Sequence, residues 1–176
     1  MITPTKKICS LLPSATEIVF ALGLEDRLVA VTHECDFPPE VCRRPVITRS
    51  TVDQGRRESS HAIHAHITAA LHGGSSIYLL DQSLLQRLAP DLILTQELCD
   101  VCAVSYDTVK KAVRSLHGSP MVLSLEPTTL QGILDTIRLV GDATGAGARA
   151  ETLVQERGSG VSRSSPMSLS QRNGAR

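Results

Sequence analysis

Two short segments carry the side chains best suited to chemistry. His33-Glu-Cys-Asp36 places an imidazole, a thiol and two carboxylates in consecutive positions, all of them potential ligands or proton-transfer groups. Phe37-Pro-Pro39 follows with an aromatic ring and two prolines that restrict the backbone. Two interpretations stay open: the segment presents His33 to a ligand, or His33 and Asp36 cap the turn while Phe37 fills the core beneath it.

The second segment is Cys99-Asp-Val-Cys102, whose spacing is typical of a redox or metal-binding cysteine pair. A structural zinc ion needs further ligands, and Cys35 and His33 complete a set only if the two segments meet. A thioredoxin-like pair normally opens a helix, whereas here Ser105 and Asp107 stand as the cap and first turn of the next helix. The two cysteines of this segment, together with Cys35 and His33, are therefore one candidate metal site.

A third candidate lies where a predicted strand meets a predicted helix, between Ile8 and Leu24. Ser14 stands where an N-cap belongs, and Glu17, three residues later, completes a capping box. Gly23 supplies a left-handed end to the helix. The polar loop faces a ligand in one interpretation and is an ordinary strand-to-helix corner in the other.

The remaining titratable residues form no recognisable catalytic set. Glu97 and Glu126 lie at the ends of predicted strands, but no Ser-His-Asp arrangement, phosphate loop or HExxH motif accompanies them. Four histidines in and after a predicted helix are interpreted as a solvated face: His61, His64, His66 and His72. We therefore expect a protein that is not an enzyme and has no catalytic cofactor.

Alternation of short apolar runs with amphipathic stretches predicts an α/β fold, a parallel sheet flanked by helices. The predicted strands are 8–12, 28–32, 92–95 and 121–124, and the predicted helices are 15–22, 58–71, 83–88, 107–116 and 130–143. In the last helix one face is apolar: Leu130, Ile133, Leu134, Ile137 and Val140. Ligands of such sheets bind beyond the carboxyl ends of the strands, where the candidate segments lie.

Composition excludes several classes of partner. Eighteen Lys and Arg balance eighteen Asp and Glu, so we expect no nucleic-acid partner. The whole chain has two Phe, two Tyr and no Trp, too few aromatic rings for a base-stacking surface. No run approaches the roughly 18 apolar residues of a membrane span, so we expect no membrane insertion.

The amino terminus and the cysteines bear on the compartment. The first predicted strand follows Met1–Lys7 directly, which leaves no room for an apolar signal region of about 7 to 15 residues. Five cysteines are an odd number, which favours reduced thiols over a disulfide framework. As written, the sequence predicts a cytoplasmic protein.

From Ile8 to Glu156 the chain resembles the substrate-binding proteins of vitamin B12 and ferric-siderophore ABC importers, most closely the corrinoid-binding branch. The resemblance rests on ordered blocks: Ser10-Leu-Leu-Pro-Ser-Ala-Thr-Glu-Ile18, Val31-Thr-His-Glu-Cys-Asp-Phe-Pro-Pro39, Pro45-Val-Ile-Thr48, Leu88-Ala-Pro-Asp-Leu-Ile-Leu94, Thr95-Gln-Glu-Leu-Cys-Asp-Val-Cys-Ala-Val-Ser-Tyr106 and Leu123-Ser-Leu-Glu-Pro127. In that family two α/β lobes are joined by one long helix, and the ligand lies between them. Family members are usually periplasmic or on the cell surface.

The resemblance implies a single Rossmann-like lobe of such a helical-backbone receptor, truncated at its carboxyl end. Residues 1–127 would form the amino-terminal lobe, and residues 128–157 the connecting helices, with the spanning helix opening near Ala148. Residues 158–176 have the composition of a disordered tail and show no resemblance to the family.

The resemblance also implies a ligand and a partner. The ligand would be cobalamin, another corrinoid or a metal chelate such as a ferric siderophore, with His33 as an axial contact and Phe37 as an apolar surface. The implied ligand-binding residues are Ser14, Ala15, Thr16, His33, Glu34, Asp36, Phe37, Cys99, Asp100 and Tyr106.

Family members dock on an ABC permease through a glutamate on each lobe. This chain has Ser83 at that position, and the nearby Asp81 either replaces the acid or caps its own helix. The alternatives to a chelate-binding lobe are a metal or redox module built on Cys99, Cys102, Cys35 and His33, and an inactive truncated product.

Overall fold

The computed structural model describes residues 7–51, 59, 61, 68, 78–97, 106–116 and 118–161. The strands are β1 (Ile8–Ser10), β2 (Leu28–Val31), β3 (Thr48–Ser50), β4 (Tyr78–Leu80), β5 (Leu92–Thr95) and β6 (Met121–Ser124). The helices are α1 (Pro13–Ala21), α2 (Gln82–Leu88), α3 (Tyr106–Arg114), α4 (Leu130–Thr144) and α5 (Gly147–Val161), with 3-10 turns at Glu25–Arg27 and Pro39–Arg43.

Four strands form a parallel sheet in the order β2-β1-β5-β6, with helices on both faces. Side chains alternate across a strand, so Ile8 packs toward α1, α4 and α5, whereas Cys9 packs toward α2 and α3. Leu92 and Ile93 divide between the two faces in the same way. The predicted α/β class is confirmed, and β5 and β6 have the predicted bounds.

The antiparallel ribbon of β3 and β4, in which Thr48 pairs with Leu80, was not predicted from the sequence. Its strands are three residues long, too short to show a period of two. A single bridge between Val31 and Val46 connects the ribbon to the edge strand β2. The ribbon therefore extends the sheet beside the loop that follows β2.

The predicted N-cap of α1 was wrong. Leu12 is the N-cap residue and makes no side-chain hydrogen bond, while Pro13 occupies the first turn of the helix. Proline is favoured there because its fixed φ suits a helix. The N–H that proline lacks would have no acceptor within the helix at this position. The predicted left-handed end is confirmed, since Gly23 has φ +63° and its N–H donates to the Phe20 carbonyl.

Helices α4 and α5 pack against each other in opposite directions along the chain. Gly141 touches Ala150, and Arg138 on the same helix forms an ion pair with Glu151. Helix α5 runs on to Val161, so the first residues of the predicted tail are helical. Near Gly158 the partner across the helix pair is Leu134.

The predicted apolar face of α4 is only half buried. Ile137 and Val140 belong to the core, but Leu130 is 54% exposed and Ile133 is 47% exposed. The sequence period identifies an apolar face and does not show how far its covering partner extends. The first turn of α4 therefore presents part of this apolar face to solvent.

The predicted helix 58–71 lies mostly outside the described residues. Among the described helices, none is long and apolar enough to cross a membrane.

Candidate functional site

The carboxyl ends of four parallel strands meet at one edge of the sheet, here called the carboxyl edge. The segments that leave this edge are 11–14 after β1, 32–37 after β2, 96–97 after β5 and 125–128 after β6. Open α/β sheets bind ligands in this position. The sequence-predicted site residues that the structure describes, apart from Tyr106, lie on or next to these segments.

The 32–37 loop turns its side chains in two directions. His33 and Cys35 face inward and are partly buried, whereas Glu34, Asp36 and Phe37 are exposed. The Cys35 N–H donates to the Thr32 carbonyl at 3.1 Å, which closes the turn. The alternative in which Phe37 fills the core was wrong, because this ring is 60% exposed.

His33 anchors the loop to the ribbon. Its backbone N–H donates to the Thr48 hydroxyl at 3.0 Å, and its Nδ1 lies 2.7 Å from the same oxygen. Its ring also lies against Tyr78, with centroids 5.2 Å apart and planes at 58°. Thr32 joins the cluster through a 2.8 Å hydroxyl contact with Thr48. His33 therefore binds the ribbon through Thr48 and does not cap the turn through the backbone, and its predicted ligand role stays a prediction.

The second ring nitrogen of His33 is shielded. Nε2 lies 3.2 Å from a carboxylate oxygen of Glu34, an ion-pair distance without the alignment of a hydrogen bond. The atom is buried and has no hydrogen-bond partner among the described residues. His33 therefore offers no open nitrogen, and the predicted axial contact with a metal would require the ring to move.

Cys35 anchors the same loop to the start of α1. Its Sγ lies 3.1 Å from the Thr16 hydroxyl, which donates to the Ser10 hydroxyl at 2.8 Å. The Ser10 hydroxyl in turn donates to the Leu12 carbonyl at 2.9 Å. Thr16 and Ala15 are fully buried, so the predicted ligand contact through the Thr16 hydroxyl is not available here.

The thiols of Cys35 and Cys9 are poor metal ligands because their surroundings favour the protonated form. Burial raises the pKa of the Cys35 thiol. Burial, with a smaller effect of Cys35, raises the pKa of Cys9 to about 12. A metal requires the thiolate, which both environments disfavour.

No group of three or more His, Cys, Asp or Glu residues could hold a metal within the described ranges. His33 and Cys35, the two described members of the predicted metal set, make contacts in separate networks. The other candidates lie outside the described residues: Cys99, Asp100, Cys102, Ser105, His64, His66 and His72.

Several polar groups at the carboxyl edge remain open to a ligand. Ser14 is exposed, and its N–H, in the first turn of α1, has no acceptor within the helix. The carboxylates of Glu34 and Asp36 lie on the exposed side of the 32–37 loop. The edge therefore combines an aromatic ring with hydrogen-bond donors and acceptors.

Glu126 connects the ends of β5 and β6. Its Oε1 accepts from the Ser124 hydroxyl at 2.6 Å and from the Glu97 N–H at 3.1 Å. Glu126 thus serves as a structural link between the two strand ends. With Asp135 it also lines a cavity of about 360 Å³. A separate cavity of about 470 Å³ lies near Phe20.

Tyr106 opens α3, and the Lys110 ammonium lies 4.1 Å from its ring centroid. This cation-π contact covers one face of the ring from its own helix. Tyr106 therefore has a local partner, and its predicted role in ligand binding stays a prediction.

The turn that carries Asp81 and Ser83, at the position of the family's docking glutamate, follows β4 of the ribbon. Asp81 accepts a 2.8 Å hydrogen bond from the Leu84 N–H, which confirms the N-cap interpretation. Ser83 is exposed and lines a cavity of about 570 Å³ beside Arg49 and Leu79. The Asp81 carboxylate is thus already engaged.

Thr48 is the site residue that sequence reasoning missed. Its hydroxyl contacts Thr32 and both the N–H and the ring of His33. Thr48 ends one of the blocks that carry the family resemblance, Pro45-Val-Ile-Thr48. That position was the available signal, but nothing in the linear sequence pairs it with His33.

Two curated relatives show what the sequence is similar to, while no protein-family model matches the chain. An uncharacterised ABC transporter substrate-binding lipoprotein, YvrC, from Bacillus subtilis is 27% identical over 150 residues, 85% of this chain and 38% of that protein. A vitamin B12-binding protein from Vibrio cholerae is 54% identical over 37 residues, 21% of this chain and 13% of that protein.

Solved structures show the fold. A possible iron-binding periplasmic protein from Staphylococcus epidermidis matches 91% of this chain and 50% of its own length, with TM-score 0.65 and 23% identity. The periplasmic vitamin B12-binding protein BtuF of Vibrio cholerae gives TM-score 0.59 and 21% identity over 90% of this chain and 50% of its own length. For the periplasmic haem-binding protein RhuT of Roseiflexus these values are 0.60, 22%, 90% and 48%.

This chain spans 38% of the YvrC relative and about half of the solved structures. The resemblance predicted from the sequence blocks is confirmed by both kinds of comparison. The chain therefore has the fold of periplasmic binding proteins for vitamin B12, haem and iron, and is similar over 85% of its length to an ABC transporter substrate-binding lipoprotein.

Proposed function

We propose that this chain supplies one wall of the ligand cleft of a substrate-binding protein for metal chelates, in ABC-type uptake, with a corrinoid such as cobalamin as the first candidate ligand. Its similarity to a transporter-associated binding lipoprotein and to a vitamin B12-binding protein supports this class of function. The proposed role is binding and does not include catalysis.

The exposure of Phe37 is the observation that carries the proposal. The chain has four aromatic residues, and the other three, Phe20, Tyr78 and Tyr106, are all at least partly buried. Phe37 is 60% exposed at the carboxyl edge and stands beside prolines that restrict its backbone. A flat apolar ring held in this way can pack on the face of a macrocycle and lose little conformational entropy on binding.

The polar groups near Phe37 suit a corrinoid, because the edge of its macrocycle carries amide groups. The carboxylates of Glu34 and Asp36 can accept hydrogen bonds from amide N–H groups. The Ser14 hydroxyl and the Ser14 N–H at the start of α1 can donate to amide carbonyls. One apolar contact with a few oriented polar groups is the usual composition of a small-molecule site.

Isothermal titration of the reduced protein with cyanocobalamin tests the proposal. We expect saturable heat, and Phe37→Ala should weaken binding by about 10- to 100-fold, the value of burying an aromatic side chain. Met121→Ala is the matched control, because Met121 is 50% exposed but begins β6 at the opposite edge of the sheet. Its affinity should equal that of the unmodified protein.

Folded protein that gives no saturable heat with cyanocobalamin, with haemin or with a ferric siderophore would contradict the proposal. Equal losses for Phe37→Ala and Met121→Ala would place the binding surface elsewhere. Saturation with haemin or a siderophore alone would retain the chelate site and reject the corrinoid as its ligand.

A further inference from the structure

We propose that Cys35 is a positioning residue for the chelate site, because its thiol begins a one-way chain of hydrogen bonds that holds the loop carrying Phe37 against the start of α1. This inference rests on the proposed function for its effect on binding. Its effect on the loop is independent of any ligand.

The direction of the chain follows from counting protons. Each hydroxyl has one proton to donate, and the Ser10 proton goes to the Leu12 carbonyl. The Thr16 proton goes to the Ser10 oxygen, so Thr16 can only accept from Cys35. The thiol must therefore be the donor, and the order is S–H to O–H to O–H to C=O.

The protonation state of the thiol agrees with this role. Burial raises the pKa of Cys35, with Asp36 and Glu34 adding to the shift through their charges. The thiol therefore keeps its proton at neutral pH and can donate. A thiolate could only accept, and the Thr16 proton would have to leave Ser10 to meet it.

The hydrogen-bond chain lies close enough to the exposed Phe37 ring to affect its mobility. The loop has two inward anchors, His33 on Thr48 of the ribbon and Cys35 on Thr16 of α1. Phe37 lies two residues after Cys35, and its side chain is exposed to solvent. Removing the Cys35 anchor leaves the ring held on one side by His33 and on the other by Pro38, whose carbonyl accepts from the N–H of the buried Val41.

The same series of hydrogen bonds joins the two parts of the proposed site, the 32–37 loop and the start of α1. It ends on the carbonyl of Leu12, the N-cap residue of α1, two residues before Ser14. Cys35 thus sets the distance between the apolar ring on the loop and the donors on the helix. To serve as the predicted metal ligand, the Cys35 thiol would have to give up its hydrogen bond with Thr16.

A tryptophan at position 37 gives a direct test, because the chain has no other tryptophan. In a Phe37→Trp background, fluorescence anisotropy reports the mobility of the loop without any ligand. Cys35→Ala should lower the anisotropy, and Cys35→Ser, which keeps a donor, should restore it. Cys42→Ala is the control, since Cys42 is an exposed thiol outside the chain of hydrogen bonds.

Binding of cyanocobalamin by the single variants gives the second readout. We expect Cys35→Ala to weaken binding by about three- to tenfold, the net value of one hydrogen bond, and Cys35→Ser to stay within about twofold of the unmodified protein. If Cys35→Ala does not fold, Thr16→Val removes the acceptor and should have the same effects, while Thr16→Ser keeps the hydroxyl and should not.

Equal anisotropy of the Cys35→Ala, Cys35→Ser and parent proteins would overturn the inference. So would a Cys35→Ser protein as mobile as Cys35→Ala, because a merely steric role is not rescued by a donor. If no variant binds cyanocobalamin while the anisotropy follows the expected order, the positioning of the loop stands and the corrinoid proposal fails.

Discussion

We expect Gly141→Ala to destabilise the protein, although alanine is normally preferred to glycine within a helix. A Cβ at Gly141 would overlap the Ala150 Cβ across the α4-α5 contact. Neither atom can rotate away, so the overlap requires the helix backbones to separate. Overpacking of this kind costs up to about 3 kcal/mol, against a gain of about 1 kcal/mol in helix propensity. The net loss is up to about 2 kcal/mol, which lowers the melting temperature by up to roughly 4 to 8 °C.

Thermal unfolding followed by circular dichroism measures this effect. Gly158→Ala is the matched control on the same helix pair, because its new Cβ would lie 3.9 Å from the nearest atom, Leu134 Cδ1. We expect this variant to melt at or slightly above the unmodified protein. In the double variant, Ala150→Gly should recover most of the loss from Gly141→Ala, because it removes the overlapping methyl group. A Gly141→Ala protein that melts as high as Gly158→Ala would refute the close packing of α4 on α5.

Two further predictions concern the caps and the thiols. Asp81→Ala should lower the free energy of unfolding by about 1 kcal/mol, because it removes the acceptor of the Leu84 N–H at the start of α2. Urea unfolding measures this, with the exposed Ser83→Ala as control, and equal midpoints for the two variants would contradict the cap. At pH 8 iodoacetamide should modify the exposed Cys42 much faster than Cys9, whose pKa is raised to about 12 by burial. Peptide mapping with mass spectrometry gives both rates, and equally rapid modification of the two thiols in folded protein would be the contrary result.

The sequence was most informative where a local rule had no competitor. β5 and β6 were predicted with their observed bounds because continuous apolar runs lie between turn residues. The left-handed end of α1 followed from Gly23 alone. The N-cap of α1 failed because Ser14 and Pro13 both suit a helix start, and the proline took the first turn.

The candidate site was predictable as a location and not as a set of side-chain directions. The rule for parallel sheets placed the 32–37 loop at the carboxyl edge. It could not tell that His33 and Cys35 turn inward, because their partners Thr48 and Thr16 are distant in sequence. Composition made Phe37 worth naming, but its exposure depends on the packing of the whole loop.

The most direct test of the central claim is a nuclear magnetic resonance titration of protein labelled only at phenylalanine. The chain has two such residues, Phe20 and Phe37, so the spectrum contains its own control. On addition of cyanocobalamin we expect the Phe37 ring signals to shift saturably, while those of the half-buried Phe20 stay in place. Unchanged Phe37 signals at saturating cyanocobalamin, or shifts confined to Phe20, would contradict the claim that the carboxyl edge binds a corrinoid.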